Sequence, residues 1–206
     1  MKKRICVFGD SVVWGACIPK REAWADLLRN YLDETFNYSI ELYNLGIDGN
    51  TSADVLQRLD TEAQARNPDV IICTIGANDS IFRSNNQFDV SESVFLHNLS
   101  GILEMAKKYT QQILFVGLVK GSDAETIPLK RSSTGKCYSK LAVKKYDGYI
   151  KSFAAQNNVP FVDVFSVLSD EDFDDGLHPN MQGHSKIFQA VKKVFYEKKL
   201  IDFLTS

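Results

Sequence analysis

The stretch that decides the fold is VIICTIGAND at residues 70–79, an apolar run that gives way to small and polar residues. A short run of this kind, rich in β-branched residues and followed by glycine, predicts a buried strand. Because the run is almost continuously apolar, both faces of the strand should be covered, as in a parallel sheet with helices on either side. The sequence therefore predicts an α/β fold.

Strand-like and helix-like segments alternate along the rest of the chain. The predicted strands are 4–8, 39–44, 70–75, 113–119 and 160–164, and the predicted helices are 24–32, 52–65, 91–109, 138–157 and 181–198. This order predicts a five-stranded parallel sheet with right-handed crossovers and the first strand at its centre. Ligands should bind beyond the carboxyl ends of the strands. Residues 120–136 fit neither pattern and should lie on that side.

Composition excludes several classes of protein. The chain has 206 residues, 44% hydrophobic and 24% charged, which favours one globular domain over residues 1–206 and excludes disorder or a coiled coil. A net charge of −2 argues against a nucleic-acid partner. Gly9 and Asp10 interrupt the first apolar run and no run reaches the length of a bilayer span, so we expect a cytoplasmic protein without stable membrane insertion.

The four cysteines and three histidines form none of the paired spacings of a zinc site. We therefore expect cysteine thiols in a reducing compartment and no metal. Oligomeric state has no signal in the sequence.

Polar motifs follow four of the predicted strands. They are Gly9-Asp10-Ser11, Gly49-Asn50-Thr51, Gly76-Ala77-Asn78-Asp79 and Asp175-Gly176-Leu177-His178. Parallel strands end at the same edge of a sheet, so these motifs should meet in one site.

The residue types in these motifs suit acyl transfer. The Ser11 hydroxyl needs a base, and His178 is the natural one because histidine titrates near neutral pH. Asp175 can hold one ring nitrogen of that histidine and leave the other for the serine. The backbone N–H groups of Ser11 and Gly49 and the Asn78 amide are candidate donors to an oxyanion. None of this chemistry needs a cofactor.

With these motifs in this order, the chain resembles the SGNH hydrolases, also called GDSL-like lipases or acylhydrolases. The resemblance covers residues 9–178 and implies a flavodoxin-like three-layer α/β/α sandwich. It implies Ser11 as nucleophile, Asp175 and His178 as its partners, and Ser11, Gly49 and Asn78 as the oxyanion hole. It also implies a small-molecule ester or thioester substrate, such as a sugar acetate, a lysophospholipid or a short acyl ester.

Two positions depart from the family pattern or leave it open. Val12 stands where the family name motif has leucine, and Gly46 remains an alternative to Gly49. Asp10 and Trp14 are further candidates for substrate binding.

Three alternatives to an ester hydrolase stay open. A nucleotide- or flavin-binding module could use the same sheet, although the first loop lacks GxGxxG and GxxxxGK[ST] and Asp10 would repel phosphate. A non-catalytic member could bind carbohydrate or a protein, and an acyltransferase could use an alcohol in place of water. The basic segment 120–145 is either a solvated loop or a cover that attracts anionic esters through Lys130 and Arg131.

Overall fold

Five parallel strands form one sheet in the computed structural model, which describes residues 2–18, 22–83, 87–130 and 132–206. The strands are β1 Lys3–Gly9, β2 Ile40–Gly46, β3 Val70–Thr74, β4 Ile113–Val116 and β5 Phe161–Val162. Their order is β2-β1-β3-β4-β5. The predicted α/β class is confirmed, but β3 and not β1 occupies the centre of the sheet.

Helices connect these strands or follow the last of them. They are α1 Ser11–Trp14, α2 Trp24–Thr35, α3 Ser52–Arg66, α4 Glu92–Lys107, α5 Asp123–Thr126, α6 Lys140–Gln156, α7 Met181–Glu197 and α8 Leu200–Thr205. The five long ones lie where the apolar spacing predicts them. The short helices α1, α5 and α8 were not predicted, because four to six residues are too few to show a helical period.

The sheet is buried on both faces. Ile5 and Val7 of β1 face a core that α2, α7 and α8 complete, whereas Cys6 and Phe8 face a second core shared with α3, α4 and α6. All four side chains are fully buried. Alternate residues of one strand thus enter opposite cores, which explains why the strand sequences are continuously apolar.

The connections reverse direction beside β1. After β1 the chain crosses to β2 at the edge of the sheet, and after β2 it crosses back past β1 to β3. The segments that follow β1 and β3 therefore leave the sheet toward opposite faces and open a crevice between them, the usual place for a ligand in such a sheet. Ser11 follows β1 and Asn78 follows β3.

No helix in the described part of the chain combines the length and the apolar character needed to cross a bilayer. The cytoplasmic location remains a prediction.

Candidate active site

Ser11 begins α1 directly after β1. Asp10 caps this short helix, since its Oδ1 accepts a hydrogen bond from the N–H of Val12 at 3.0 Å. The helix ends at Gly15, whose φ of +88° suits glycine. The serine is thus held where the chain turns out of the sheet, and it lines a cleft at the carboxyl edge.

His178 and Asp175 approach Ser11 from the loop that precedes α7. His178 Nε2 lies 3.1 Å from Ser11 Oγ, and His178 Nδ1 lies 2.8 Å from Asp175 Oδ2. The second carboxylate oxygen of Asp175 accepts from the N–H groups of Leu177 and His178 at 2.9 and 2.7 Å. One ring nitrogen is held by the carboxylate while the other faces the hydroxyl, which is the geometry of a base oriented toward a nucleophile.

The carboxylate of Asp175 is held in its charged form. Burial raises its pKa, but hydrogen bonds from the His178 ring and from the backbone N–H groups of His178 and Leu177 outweigh burial and hold the pKa well below its ordinary value. A carboxylate that stays ionised near neutral pH stabilises an imidazolium formed beside it.

Asn78 is held at both ends of its amide. Its Nδ2 donates to the carbonyl of Asn50 at 2.9 Å, and its Oδ1 accepts from the Tyr138 hydroxyl at 2.8 Å. Since a carbonyl can only accept, Nδ2 must be the atom that faces Asn50. That leaves the second Nδ2 hydrogen available to a ligand in the cleft, which Asn78 lines. Burial raises the pKa of Tyr138, so its hydroxyl stays protonated.

Gly49 and Gly46 have different surroundings. Gly49 lines the cleft with a φ of +77°, and a Cβ added there would meet nothing within 4 Å. A Cβ at Gly46 would lie 2.2 Å from the backbone nitrogen of Trp14, and the Gly46 N–H already donates to Asn44 Oδ1 at 3.0 Å. Gly46 therefore lets α1 pack on β2, whereas Gly49 presents backbone to the cleft.

Arg58 of α3 ties the first two motifs together. Its Nη2 donates to the carbonyls of Gly9 and Leu45 at 3.1 and 2.7 Å, and its Nε donates to Asn50 Oδ1 at 2.8 Å. Glu62 balances its charge at 2.7 Å. One planar side chain thus spans the ends of β1 and β2 and the loop that carries Gly49.

The cleft has a volume of about 450 Å³. Around the predicted catalytic residues, its polar lining is Asp48, Lys120, Ser132, Ser133, Thr134 and Lys136, and its apolar lining is Val12, Val119, Leu129, Val143 and Leu177. Much of this wall comes from the segment between β4 and α6. Six described residues of the segment 120–136, which sequence patterns could not assign, therefore line the site.

The basic residues of that segment divide into two groups. Lys120 and Lys136 line the cleft. Lys130 does not line it, and instead forms an exposed ion pair with Glu125. Arg131, the other residue predicted to attract anions, lies outside the described residues.

Asp10 and Trp14 do not line the cleft. The Asp10 carboxylate is buried as the cap of α1, and burial raises its pKa to about 6. Trp14 is 39% exposed at the end of α1, where its backbone packs over Gly46. Asp10 thus serves as the cap of α1, and substrate binding by Asp10 or Trp14 stays a prediction.

Two residues near the site have no sequence motif to reveal them. Tyr138 reaches Asn78 from just before α6. Cys17 lies after α1, and its sulfur is 3.6 Å from Asp175 Oδ2. Tyr138 and Cys17 reach the site because separate loops fold against one another. The sequence shows that a tyrosine and a cysteine are present but not that they lie near Ser11. His184, by contrast, is fully buried and its Nδ1 accepts from the N–H of Trp24 at 3.1 Å, which gives it a structural position.

Fold and site together define a class: a parallel α/β sheet protein with a serine, a histidine and an aspartate in one hydrogen-bonded line at the crevice beside its first strand. The model of the GDSL-like lipase/acylhydrolase family matches residues 7–186. The chain belongs to this family, and the predicted family resemblance is confirmed. Membership places it among the ester hydrolases.

Individual relatives are more distant. An arylesterase of Vibrio mimicus is 26% identical over 196 residues, which cover 92% of this chain and 86% of the relative. The solved structure of a lipase/acylhydrolase from Enterococcus faecalis has a TM-score of 0.75 at 19% identity, and covers 95% of this chain and 96% of its own. An acetyl xylan esterase from Geobacillus stearothermophilus has a TM-score of 0.72 at 19% identity, with 93% of each chain covered. At these identities the two structures establish the fold.

Proposed function

We propose that the protein is a serine esterase that works through an acyl-enzyme on Ser11. The observation that carries the proposal is the continuous line from Ser11 Oγ through the His178 ring to Asp175 Oδ2, with separations of 3.1 and 2.8 Å. A serine hydroxyl facing an imidazole that a carboxylate orients is the arrangement by which an adjacent base activates a nucleophile.

In the first half-reaction, Ser11 Oγ attacks the ester carbonyl carbon while its proton moves to His178 Nε2. Asp175 stabilises the imidazolium that results. The tetrahedral intermediate then collapses, the bond to the leaving alcohol breaks, and Nε2 returns the proton to that alcohol. The acyl group remains on Ser11.

The negative charge on the carbonyl oxygen needs donors that are already in place. Within the described ranges, no backbone carbonyl accepts from the N–H of Ser11 or of Gly49, and Asn78 Nδ2 has one hydrogen to spare. We assign these three groups to the oxyanion hole. One such donor typically contributes about 2.7–4 kcal/mol to the transition state.

The second half-reaction repeats these steps with water. His178 takes a proton from water, the hydroxide attacks the acyl carbon, and Ser11 leaves with the proton restored. An alcohol bound in place of water would make the same site an acyltransferase, and product analysis separates the two outcomes.

The cleft favours short acyl groups. A volume of about 450 Å³ lies in the lower part of the range for small-molecule sites, about 300–1,000 Å³. Among the described residues its lining contains both polar and apolar side chains, so a long fatty acyl chain would meet polar groups in it. The arylesterase and acetyl xylan esterase among its relatives are consistent with small acyl esters.

The first loop is poorly suited to phosphate. The N–H of Val12 is already bonded to the buried Asp10 carboxylate, so the turn cannot offer that donor to a phosphate oxygen, and the carboxylate would repel it. This placement favours ester hydrolysis over nucleotide or flavin binding.

Ser11→Ala tests the nucleophile with p-nitrophenyl acetate. We expect kcat to fall by at least about 10⁴-fold with the thermal unfolding temperature unchanged, and labelling by a fluorophosphonate probe to disappear. Ser100→Ala, on α4 away from the cleft, is the matched control and should retain both. The same assay on butyrate and octanoate esters should show kcat/KM falling with chain length. Retained labelling of Ser11→Ala would refute the assignment.

A further inference from the structure

Cys17 brings a thiol to the two residues that activate Ser11. Its Sγ lies 3.6 Å from Asp175 Oδ2 and 3.8 Å from His178 Nδ1, and those two atoms lie 2.8 Å apart. Cys17 is exposed, whereas the His178 and Asp175 side chains are mostly buried. Three atoms of the types that bind transition metals thus converge at a point that solvent ions can reach.

The distances suit a tetrahedral ion. Zinc binds cysteine sulfur at about 2.3 Å and histidine nitrogen or carboxylate oxygen at about 2.0–2.2 Å. In a tetrahedron, these lengths put the sulfur about 3.6 Å from the nitrogen and from the oxygen, and the nitrogen about 3.4 Å from the oxygen. The two sulfur separations, 3.8 and 3.6 Å, already agree. Only the separation of His178 Nδ1 and Asp175 Oδ2 must widen, by about 0.6 Å.

We propose that Cys17, Asp175 and His178 form a binding site for a thiophilic divalent cation such as Zn²⁺, and that the bound ion switches the hydrolase off. Three protein ligands leave the fourth position to water, as in zinc sites that face solvent. The inhibition rests on the proposed function of the site, whereas the binding itself does not.

Inhibition follows from where the protons go. The ion takes the place of the Cys17 thiol proton, which leaves to solvent. It also displaces the proton of His178 Nδ1, and the neutral ring regains one proton from solvent on Nε2, so one proton is released per ion bound. A neutral imidazole bound to metal through Nδ1 carries its proton on Nε2. Nε2 then donates toward Ser11 Oγ and can no longer accept its proton, so the base is lost while the fold stays intact.

Direct binding is measured with Co²⁺ on tag-free protein. Thiolate coordination gives a charge-transfer absorption in the near ultraviolet, which we expect for the wild type and for Ser11→Ala. It should be absent from Cys17→Ser and from Cys17→Asn, the second of which tolerates the left-handed backbone at φ +63°. Cys137→Ser, which removes a buried thiol, is the matched control and should keep the absorption.

Inhibition is measured with Zn²⁺ on p-nitrophenyl acetate, each protein being compared with its own metal-free activity. We expect the half-inhibitory Zn²⁺ concentration to rise at least about tenfold in Cys17→Ser, since even residues behind a ligand change metal affinity by about 10–100-fold. EDTA should restore activity, which distinguishes binding from thiol oxidation, and Mg²⁺ should have no effect.

Two results would overturn the proposal. One is a Co²⁺ spectrum that is the same with and without the Cys17 thiol, and the other is Zn²⁺ inhibition that Cys17→Ser leaves unchanged. Because the absorption needs no turnover, it reports on the metal site even if Ser11→Ala were to disprove the proposed esterase mechanism.

Discussion

Replacing Tyr138 with phenylalanine should lower kcat without a matching change in KM. The substitution removes the hydroxyl that donates to Asn78 Oδ1 at 2.8 Å and keeps the buried ring. The Asn78 amide then has one anchor left, the bond from Nδ2 to the Asn50 carbonyl. An amide held at one end rotates more freely, so in the proposed mechanism its second Nδ2 hydrogen would point less consistently at the developing oxyanion.

The size of the effect has a lower and an upper bound. A hydrogen bond between neutral groups contributes about 0.5–1.5 kcal/mol net, which corresponds to a loss of about two- to tenfold in kcat for Tyr138→Phe. Complete removal of the donor in Asn78→Ala should cost about 10²–10³-fold. In Asn78→Ala the tyrosine has no amide left to orient, so adding Tyr138→Phe should cause no further loss, and the two effects should be strongly non-additive.

Initial rates on p-nitrophenyl acetate for the wild type, both single variants and the double variant test this reasoning. Tyr146→Phe is the matched control because Tyr146 is also buried and its hydroxyl also makes a hydrogen bond, to the carbonyl of Val90 outside the cleft. Both tyrosine variants should unfold at a lower temperature, but only Tyr138→Phe should lose kcat. Equal losses of kcat in both, or additive effects of Tyr138→Phe and Asn78→Ala, would refute a positioning role for Tyr138.

Two further predictions concern stability. Gly46→Ala should lower the free energy of unfolding by about 1–3 kcal/mol, because its Cβ would clash with the Trp14 backbone. Gly49→Ala should lower it by only about 1–2 kcal/mol, through backbone strain. Urea denaturation measures both losses, and a larger loss at Gly49 would contradict this comparison. Burial lowers the pKa of His184 to about 4 from 6.5, so below pH 6.5 the unfolded chain takes up a proton that the folded chain refuses, and stability falls as the pH drops toward 4. Between pH 7 and pH 4 the wild type should therefore lose on the order of 3 kcal/mol more than His184→Asn, which keeps an acceptor for the Trp24 N–H; parallel pH profiles would show that the histidine does not titrate in this way.

The fold could be predicted from the sequence where burial alone determines it. β1 and β3 are enclosed on both faces, so their apolar runs end close to where the strands end. β4 is shorter than predicted for a local reason: after Val116 the Leu118 N–H donates to the Asp147 carboxylate at 2.8 Å and not to a neighbouring strand. At Gly117, a Cβ would lie 2.5 Å from that carboxylate, so the chain leaves the sheet at a polar contact that hydrophobic spacing cannot reveal.

The candidate site was predictable to the extent that it follows strand ends. Ser11 and Asn78 are brought together by the order of parallel strands, and a motif is enough to find them. Tyr138 and Cys17 reach the site through turns whose path depends on packing, so neither could be assigned. Asp10 shows that nearness to Ser11 in the sequence does not predict a place in the cleft. Its carboxylate turns back and caps α1.

Hydrogen bonds outside the cleft fix the position of α3 relative to the residues of the candidate site. Asp79, in the loop that follows β3, accepts from the N–H of Ser52 at 2.9 Å, and Asn98 donates to the Ser52 hydroxyl at 2.9 Å. Buried hydrogen bonds therefore join the start of α3 to this loop and to α4. From the same helix, Arg58 holds the carbonyl of Gly9 and the side chain of Asn50. A shift of α3 would therefore displace the loop that carries Gly49 relative to the start of α1, where Ser11 lies. In the proposed mechanism a displacement of about 1 Å can cost about 10²-fold in rate. Residues outside the cleft would therefore determine whether the proposed donors and the proposed nucleophile meet at one carbonyl.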